Sequence, residues 1–304
     1  MSKILVTGGA GFIASHVTDA YIAAGHDVTV LDNLSTGKRE FINPAAKFIE
    51  LDITDKAGVY ALITQEKFEI INHHAAHISV GESVIDPQFD AQSNIIGLLN
   101  IMESARQIPV QKVILAATGG AMYGNGQVPF DETRPALPVS PYGITKRADE
   151  LYLNYYFQQF KIPYVSLRYA NVYGPRQNAH GESGVIAIFA EMLHQGKAPI
   201  INGDGSNIRD YVYVSDVVKA NLLALETNFV GELNIGTQAE ISTNQVYDAV
   251  ALEMGVTTPK QYGPARAGDA LASSLDYSKA HQILGWEPSV NFEAGVKLVV
   301  EWYK

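Results

Sequence analysis

A tyrosine and a lysine four residues apart, Tyr142 and Lys146, are the side chains best suited to acid–base chemistry. Ser140 and Pro141 are typical of the first residues of a helix, so we expect both side chains on one helical face. A phenol normally loses its proton far above neutral pH, but a nearby ammonium and a positively charged cofactor ring would both lower its pKa. Tyr142 is therefore predicted to be a general base supported by Lys146, although this spacing also occurs by chance on solvated helices.

A hydroxyl side chain, Thr118, follows an apolar run over residues 113–116 that reads as a strand. In parallel α/β sheets, ligands bind at the carboxyl ends of the strands. Thr118 could therefore hydrogen-bond the reacting oxygen of a substrate and pass a proton to Tyr142.

A glycine-containing turn with the spacing Gly-x-x-Gly-x-x-Ala begins at Gly8, between an apolar run and a helical pattern. Such a turn lets the backbone approach a pyrophosphate, and the first N–H groups of the helix favour the anion. The pattern predicts a dinucleotide site. Its predicted contacts are Gly8, Gly11, Phe12 and Ile13.

An acidic residue, Asp32, directly follows the second apolar run. A carboxylate at this point accepts hydrogen bonds from the adenosine ribose and repels a 2′-phosphate, which favours NAD over NADP. Lys38 and Arg39 nearby weaken that preference. Asp52 and Ile53, after the third apolar run, are predicted to flank the adenine.

Six short apolar runs alternate with longer helical patterns in the first half of the chain. This alternation predicts an α/β fold with a doubly wound parallel sheet of the Rossmann type. From residue 169 the loops lengthen, which indicates a smaller, interleaved C-terminal lobe for the substrate. We expect the dinucleotide-binding domain over residues 1–168, with 205–235 contributing, and the smaller lobe over 169–304.

The chain has 304 residues, a formal net charge of -10 and no cysteine. An acidic chain repels nucleic-acid phosphates, so no nucleic-acid partner is expected, and thiolate chemistry is excluded. We also expect no membrane span and no signal peptide, and a cytoplasmic location. His73, His74 and His77 cluster without carboxylates at metal-like spacing, so no metal site is predicted.

The ordered series of motifs resembles the UDP-glucose/UDP-galactose 4-epimerase family of extended short-chain dehydrogenases/reductases. The resemblance covers nearly the whole chain and includes residues 7–15, 32–37, 73–76, 94–97, 123–124, 142–146, 168–176, 209–214, 266–269 and 284–286. It implies NAD retained through the cycle, with Tyr142 taking the proton of the sugar 4-hydroxyl while carbon 4 gives up hydride. It also implies cofactor contacts at Asn33, Ala75, Ala76 and Asn94.

The resemblance further implies that the second half of the chain holds a UDP-sugar. The residues at matching positions are Asn171, Arg209, Arg266, Asp269 and Ser273. Two arginines offer forked donors for a diphosphate, although both have an acid close in sequence and could instead form ion pairs. The small Ser273 stands where members restricted to glucose and galactose have a bulky residue, so we expect room for a 2-acetamido group.

The sequence departs from the family at Gly119, where many epimerases carry Ser or Thr. We expect Thr118 to take that role. The Gly119-Gly120 pair also lacks the acids that related dehydratases and decarboxylases carry there, which favours epimerisation. The alternatives are a 4-reductase, dehydratase or uronate epimerase of the same group, or a non-catalytic NAD-binding regulator. The resemblance implies a homodimer formed through the helices predicted over 87–107 and 141–159.

Overall fold

The computed structural model describes residues 1–179, 184–265 and 271–304. Its strands are β1 (Lys3–Thr7), β2 (Asp27–Asp32), β3 (Lys47–Glu50), β4 (Ile70–His73), β5 (Lys112–Thr118), β6 (Tyr164–Tyr169), β7 (Asn171–Tyr173), β8 (Ile200–Asn202), β9 (Ile208–Arg209), β10 (Tyr211–Tyr213), β11 (Gly231–Ile235), β12 (Ile241–Ser242), β13 (Gln261–Gly263) and β14 (Ala272–Ser273).

The helices alternate with these strands. They are α1 (Phe12–Ala23), α2 (Lys56–Glu66), α3 (Val80–Ile85), α4 (Pro87–Ala91), α5 (Gly97–Ala105), α6 (Pro141–Phe160), α7 (Val185–His194), α8 (Val214–Glu226), α9 (Thr243–Met254), α10 (Ser278–Leu284) and α11 (Phe292–Tyr303). A 3₁₀ turn over Arg39–Phe41 and a π-helical turn over Gln92–Ile96 complete the regular structure.

Seven parallel strands form the main sheet, in the order β11-β6-β5-β4-β1-β2-β3. The chain starts at β1 and winds outwards in both directions, so a crevice opens at the carboxyl ends of β1 and β4, where the strand order reverses. The doubly wound Rossmann-type sheet predicted from the sequence is therefore confirmed, and each of the six predicted apolar runs lies in or against one of β1–β6.

Side-chain alternation along the strands creates two cores, one on each face of the sheet. Ile4 and Val6 of β1 lie in the core with α1, α8 and Trp286, whereas Leu5 lies in the opposite core with α2 and α5. A third core joins α7, α9 and α11 of the later part of the chain. Parallel strands covered on both faces explain why the predicted strands read as continuous apolar runs.

The late strand β11 returns to the main sheet beside β6, and α8 packs on α1. Residues 214–235, which form α8 and β11, therefore pack with the main sheet, whereas β9 and β10 pair with other strands. The exact division into domains stays a prediction. Over the described ranges, no helix combines the length and apolar character needed to cross a membrane.

Candidate active site

The turn after β1 is shaped by two glycines. Gly8 has a φ of +71° and donates its N–H to the Leu31 carbonyl at 2.8 Å. A Cβ on Gly8 would lie 2.7 Å from the backbone nitrogen of Ala75, so any other residue would collide with the segment after β4. Gly11 is the N-cap of α1 and provides no side-chain cap, which leaves the first N–H groups of the helix available to an anion.

Asp32 at the end of β2 is buried and is held by the glycine turn. Its carboxylate accepts hydrogen bonds from the N–H groups of Ala10 at 3.0 Å and Leu34 at 2.8 Å. Burial raises the pKa of Asp32, while these two donors oppose the rise. The carboxylate that is predicted to meet the ribose is therefore tied directly to the turn that is predicted to meet the pyrophosphate.

The predicted adenine-side residues lie together beyond β2 and β3, with different surroundings. The Asn33 side-chain amide donates to the Asp52 carboxylate at 2.7 Å, which also accepts from Thr54. Ile53 is buried, and a Cβ on Gly97 would lie 2.4 Å from its terminal carbon. The hydrogen bond between Asn33 and Asp52 is thus exposed, while the Ile53 side chain packs into the core.

The predicted acid–base pair lies on α6, close to the carboxyl end of β5. Ser140 caps the helix by accepting the N–H of Gly143 at 3.2 Å, and Pro141 is its first residue. The Tyr142 hydroxyl lies beside the side-chain hydroxyl of Thr118, the last residue of β5, within reach of a hydrogen bond. Thr118 also accepts the N–H of Ala121 at 3.2 Å, which fixes its oxygen at the end of the strand. The structure therefore brings Thr118 and Tyr142 together.

Burial has the largest effect on the acidity of Tyr142. It raises the pKa of the phenol well above its ordinary value, and the negative charges of Asp90 and Asp149 raise it further, while the hydrogen bond to Thr118 lowers it. The expectation that the Lys146 ammonium helps to lower this pKa stays a prediction. Lys146 itself forms an ion pair with Asp149, with Nζ and Oδ2 3.0 Å apart.

No side chain fits at Gly119 without movement of its neighbours. A Cβ there would lie 2.4 Å from Cδ1 and 2.7 Å from Cδ2 of Leu275, which is fully buried. Gly120 is roomier, since the one atom of the described residues within 4 Å of its Cβ would be the Thr118 hydroxyl at 3.9 Å. A Ser or Thr at position 119 would therefore collide with Leu275, and Thr118 lies beside Tyr142.

The segment after β4 approaches the glycine turn from the other side. The Ala75 N–H donates to the Thr7 hydroxyl at 3.1 Å, and that hydroxyl also bonds Nδ1 of His73 at 2.7 Å. Ala76 follows, partly exposed at the crevice. This arrangement places the predicted contacts Ala75 and Ala76 beside Gly8.

Asn94 lies in the π-helical turn and is bound within the protein. Its Oδ1 accepts the N–H of His77 at 2.8 Å, and its Nδ2 donates to the His77 carbonyl at 3.0 Å and to the Thr145 hydroxyl at 3.1 Å. Thr145 lies between Tyr142 and Lys146 and donates to the Asp90 carboxylate at 2.8 Å. A π-helical turn is rare and often marks a functional site. Here it connects Asn94 to the helix that carries the acid–base pair.

The histidines near the site are uncharged or engaged with protein groups. Burial lowers the pKa of His73 well below its ordinary value and that of His74 to about 3. His74 stacks on Tyr169, with ring centroids 6.0 Å apart. Among the residues described here, no group of three or more His, Cys, Asp or Glu is arranged to hold a metal ion.

A buried ion pair that the sequence analysis missed holds α6 against the sheet. Arg168 of β6 donates from Nε and Nη2 to the two carboxylate oxygens of Glu150, each at 2.8 Å. Arg168 also donates to the Tyr123 hydroxyl at 2.7 Å. A forked pair of this kind fixes the relative orientation of the guanidinium and the carboxylate as well as the distance between them. The Tyr123-Gly124 motif and the 168–176 motif therefore help to set the position of Tyr142.

The residues predicted to hold the nucleotide-sugar gather around β9 and β14. Ser273 pairs in register with Arg209 across parallel strands, and Asn171 donates its side-chain amide to the Asp210 carbonyl at 3.0 Å. Arg266 and Asp269 lie outside the described residues. Because Leu275 follows Ser273 by two residues and packs on Gly119, the strand that carries Ser273 passes the end of β5.

Asp210 organises this second group and was also missed by the sequence analysis. It is buried, and its carboxylate accepts from the backbone N–H groups of Thr237, Gln238 and Leu275 at 2.9–3.2 Å. A buried carboxylate with several backbone donors fixes the loops that provide them. The sequence indicates Asp210 only through its position next to Arg209, and that position also suggests an ion pair between the two neighbours.

Comparison with known proteins identifies the family. Residues 4–236 match the NAD dependent epimerase/dehydratase family, so the chain belongs to it, and NAD is the cofactor of this enzyme family. A putative UDP-glucose 4-epimerase of Methanocaldococcus jannaschii is 44% identical over 303 residues, 99% of this chain and 98% of the relative.

Two solved structures share the whole architecture. The UDP-glucose 4-epimerase of Thermotoga maritima, solved with UDP-glucose, has a TM-score of 0.97 and 47% identity and covers 99% of this chain and 98% of its own. The UDP-glucose 4-epimerase of Thermus thermophilus, solved with NAD, has a TM-score of 0.94 and 44% identity over the same shares. The cradle at Gly8 and the uncapped start of α1 fit such a dinucleotide.

Proposed function

We propose that the protein catalyses NAD-dependent epimerisation at carbon 4 of a UDP-hexose, interconverting UDP-glucose and UDP-galactose through a transient 4-keto sugar. The observation that carries the proposal is the closeness of the Thr118 and Tyr142 hydroxyls at the end of β5. A phenol and a second hydroxyl at the carboxyl edge of the sheet, where ligands bind in this fold, support acid–base chemistry there. Relatives named as UDP-glucose 4-epimerases support it.

The residues of this chain would hold both ligands and move one proton. Phe12 and Ile13 would hold the NAD pyrophosphate through backbone N–H groups at the start of α1, and Gly8 and Gly11, whose own N–H groups are used within the protein, would let the backbone approach it. Asp32 would bind the adenosine ribose. Bound NAD supplies the redox chemistry by accepting a hydride from sugar carbon 4 and returning it. The charge on an oxidised nicotinamide would also favour the Tyr142 phenolate, against the effect of burial.

Tyr142 would take the proton of the sugar 4-hydroxyl when carbon 4 is oxidised and return it when carbon 4 is reduced. The Thr118 hydroxyl would share this proton path, because it already hydrogen-bonds the phenol. Arg209, Arg266, Asn171 and Asp269 would hold the UDP moiety, so that the sugar can turn and receive the hydride on its other face.

The test is to denature the purified protein, identify the released nucleotide, and assay intact protein with a panel of UDP-sugars. We expect NAD, and interconversion of UDP-glucose and UDP-galactose with no net redox change. Tyr142→Phe should reduce the rate by at least about 100-fold. Tyr60→Phe, at an exposed tyrosine of α2, should leave it unchanged. A deoxy-sugar or pentose product would instead identify a dehydratase or decarboxylase, and a bound cofactor without turnover a regulator.

Substrate breadth is proposed to depend on Ser273. This side chain is small and buried on β14, beside Arg209. We propose that it leaves room for a 2-acetamido group, so UDP-N-acetylglucosamine should be epimerised as well. Ser273→Tyr should abolish turnover of the N-acetylated sugar while keeping that of UDP-galactose. Equal loss of both activities, or no activity of the unmodified protein on the N-acetylated sugar, would contradict this proposal.

We further propose that the protein is a homodimer built on α6. Ile144, Leu151 and Tyr155 are 54%, 55% and 48% exposed and follow one another at helical spacing, and Phe89 of α4 is 54% exposed. A contiguous apolar stripe of this kind marks an interaction surface. Leu151→Glu should give a monomer by light scattering, and Leu252→Glu, at the more exposed leucine near the end of α9 (78% exposed), should not. A monomeric unmodified protein would refute the proposal.

A further inference from the structure

A buried carboxylate lies against the lysine of the acid–base pair. Lys146 and Asp149 are separated by one helical turn, and their side chains are 3% and 0% exposed. The Lys146 ammonium donates to Oδ2 of Asp149 at 3.0 Å. The other carboxylate oxygen, Oδ1, is buried without a hydrogen-bond partner. A buried charge is costly unless it is paired, so Asp149 supplies the countercharge that lets Lys146 lie inside the protein.

The other charged and titratable groups around this pair come from three elements. Glu150 follows on α6 and is neutralised by Arg168, and Asp90 faces the pair from α4. His73 and His74 face Lys146 from the end of β4 and carry no charge, because burial and the ammonium lower the pKa of both. Asp149 therefore has the closest negative charge to the ammonium in this group.

We propose that Asp149 is a positioning residue for the reaction: it holds the Lys146 ammonium as its counter-ion and limits how strongly that ammonium favours the Tyr142 phenolate. This proposal rests on the proposed function, in which Tyr142 is the base. Together with Asp149, Lys146 presents a dipole to the phenol instead of a full positive charge. Since the field of a dipole falls faster with distance than that of a single charge, the phenol stays protonated in the resting site.

The charge state of Asp149 sets the pH range in which this pairing exists. Burial raises the pKa of Asp149 to about 6, against the opposing effect of Lys146. The carboxylate is therefore charged at neutral pH and loses its charge as the pH falls below about 6. The negative charge of Asp149 also acts directly on Tyr142 and raises the pKa of the phenol. Compensation of the Lys146 ammonium, as proposed, would raise that pKa as well.

The test follows the ionisation of residue 142 itself. A fluorinated tyrosine, which is more acidic than tyrosine, is introduced at position 142 of the full chain, and its ionisation is followed by ¹⁹F NMR against pH. In Asp149→Asn and Asp149→Ser we expect the phenol to ionise about one pH unit lower than in the parent. Asp149→Glu, which keeps the charge, should behave like the parent. Thermal melting confirms that each variant is folded.

The matched control is Asp248→Asn, which removes one carboxylate from an exposed ion pair with Lys260 and should leave the phenol unchanged. The proposal would be overturned if the phenol ionised at the same pH as in the parent, or at a higher pH, in both uncharged variants at position 149. The rising limb of the pH–rate profile of Asp149→Asn, with the natural tyrosine, should move to lower pH by the same amount. The NMR titration requires no turnover, so it decides the role of Asp149 even if no UDP-sugar is epimerised.

Discussion

Replacement of Gly119 by alanine tests why this chain lacks a side chain where many epimerases carry a hydroxyl. The new Cβ would lie 2.4 Å from Cδ1 and 3.1 Å from Cγ of Leu275. Carbon atoms pack at about 3.5–4.0 Å, so the leucine would have to move by about an ångström or more. Leu275 is fully buried and belongs to the core on the α1 face of the sheet, which leaves it little room to move.

The expected cost follows from this overpacking. Insertion of one carbon into a well-packed core typically destabilises a protein by about 1–3 kcal/mol. Gly120→Ala is the matched control, because the one atom of the described residues within 4 Å of its Cβ would be the Thr118 hydroxyl at 3.9 Å. That change should be neutral or stabilise by up to about 1 kcal/mol through the unfolded chain. The two adjacent glycines should therefore differ by about 2 kcal/mol or more in the free energy of unfolding.

Urea denaturation followed by circular dichroism measures the difference. A second pair of variants, Leu275→Ala with and without Gly119→Ala, shows whether the leucine is the cause, since the cost at Gly119 should largely disappear without it. Gly119→Ala should also raise the KM for the UDP-sugar, because Leu275 follows Ser273, the last residue of β14, by two residues. Equal unfolding free energies for Gly119→Ala and Gly120→Ala would refute the packing argument.

Three other changes have defined outcomes. Thr118→Val should lower kcat about ten-fold, since one hydrogen bond to the phenol is lost. The amount of NAD released on denaturation should stay at the parent level. An unchanged rate would remove Thr118 from the mechanism. Arg168→Met should lower the unfolding free energy by about 1–3 kcal/mol, because the buried Glu150 loses two forked hydrogen bonds while it keeps Arg147 and Ser166 as partners, and Glu150→Gln in the same chain should restore part of it in urea titrations. Asp32→Ala should reduce the preference for NAD over NADP about ten-fold in binding assays. In the parent, the affinity for NAD should fall as the pH decreases through the raised pKa of Asp32, because the carboxylate then loses its charge. An unchanged preference in Asp32→Ala would show that this carboxylate only stabilises the glycine turn.

Local sequence patterns predicted the sheet and the cofactor turn because the interactions that determine them involve residues close together in the chain. Apolar runs specify strands buried on both faces. Position 8 has a φ of +71°, a backbone conformation that favours glycine. The same holds for the start of α6, where the Ser140 cap and Pro141 act within a few residues. The strands β1–β6 and the placement of Tyr142 on a helix were therefore predictable.

Long-range packing explains what the sequence analysis missed. Asp149 has the helical spacing of an ordinary solvated charge, and only the packing of α6 on the sheet buries it. The contact of Leu275 with Gly119 joins distant parts of the chain, and no spacing rule relates the two. The region over 87–107 looked like one helix, but a π-helical turn over Gln92–Ile96 interrupts it where Asn94 binds His77 and Thr145.

The central claim is that hydride leaves and returns to the same sugar carbon in one active site, with Tyr142 moving the proton. It is tested most directly with UDP-glucose that carries deuterium at carbon 4. We predict UDP-galactose with the deuterium retained at carbon 4, no consumption of added NAD, and no product from Tyr142→Phe on the same time scale. Deuterium lost to solvent, or full activity of Tyr142→Phe, would contradict the account.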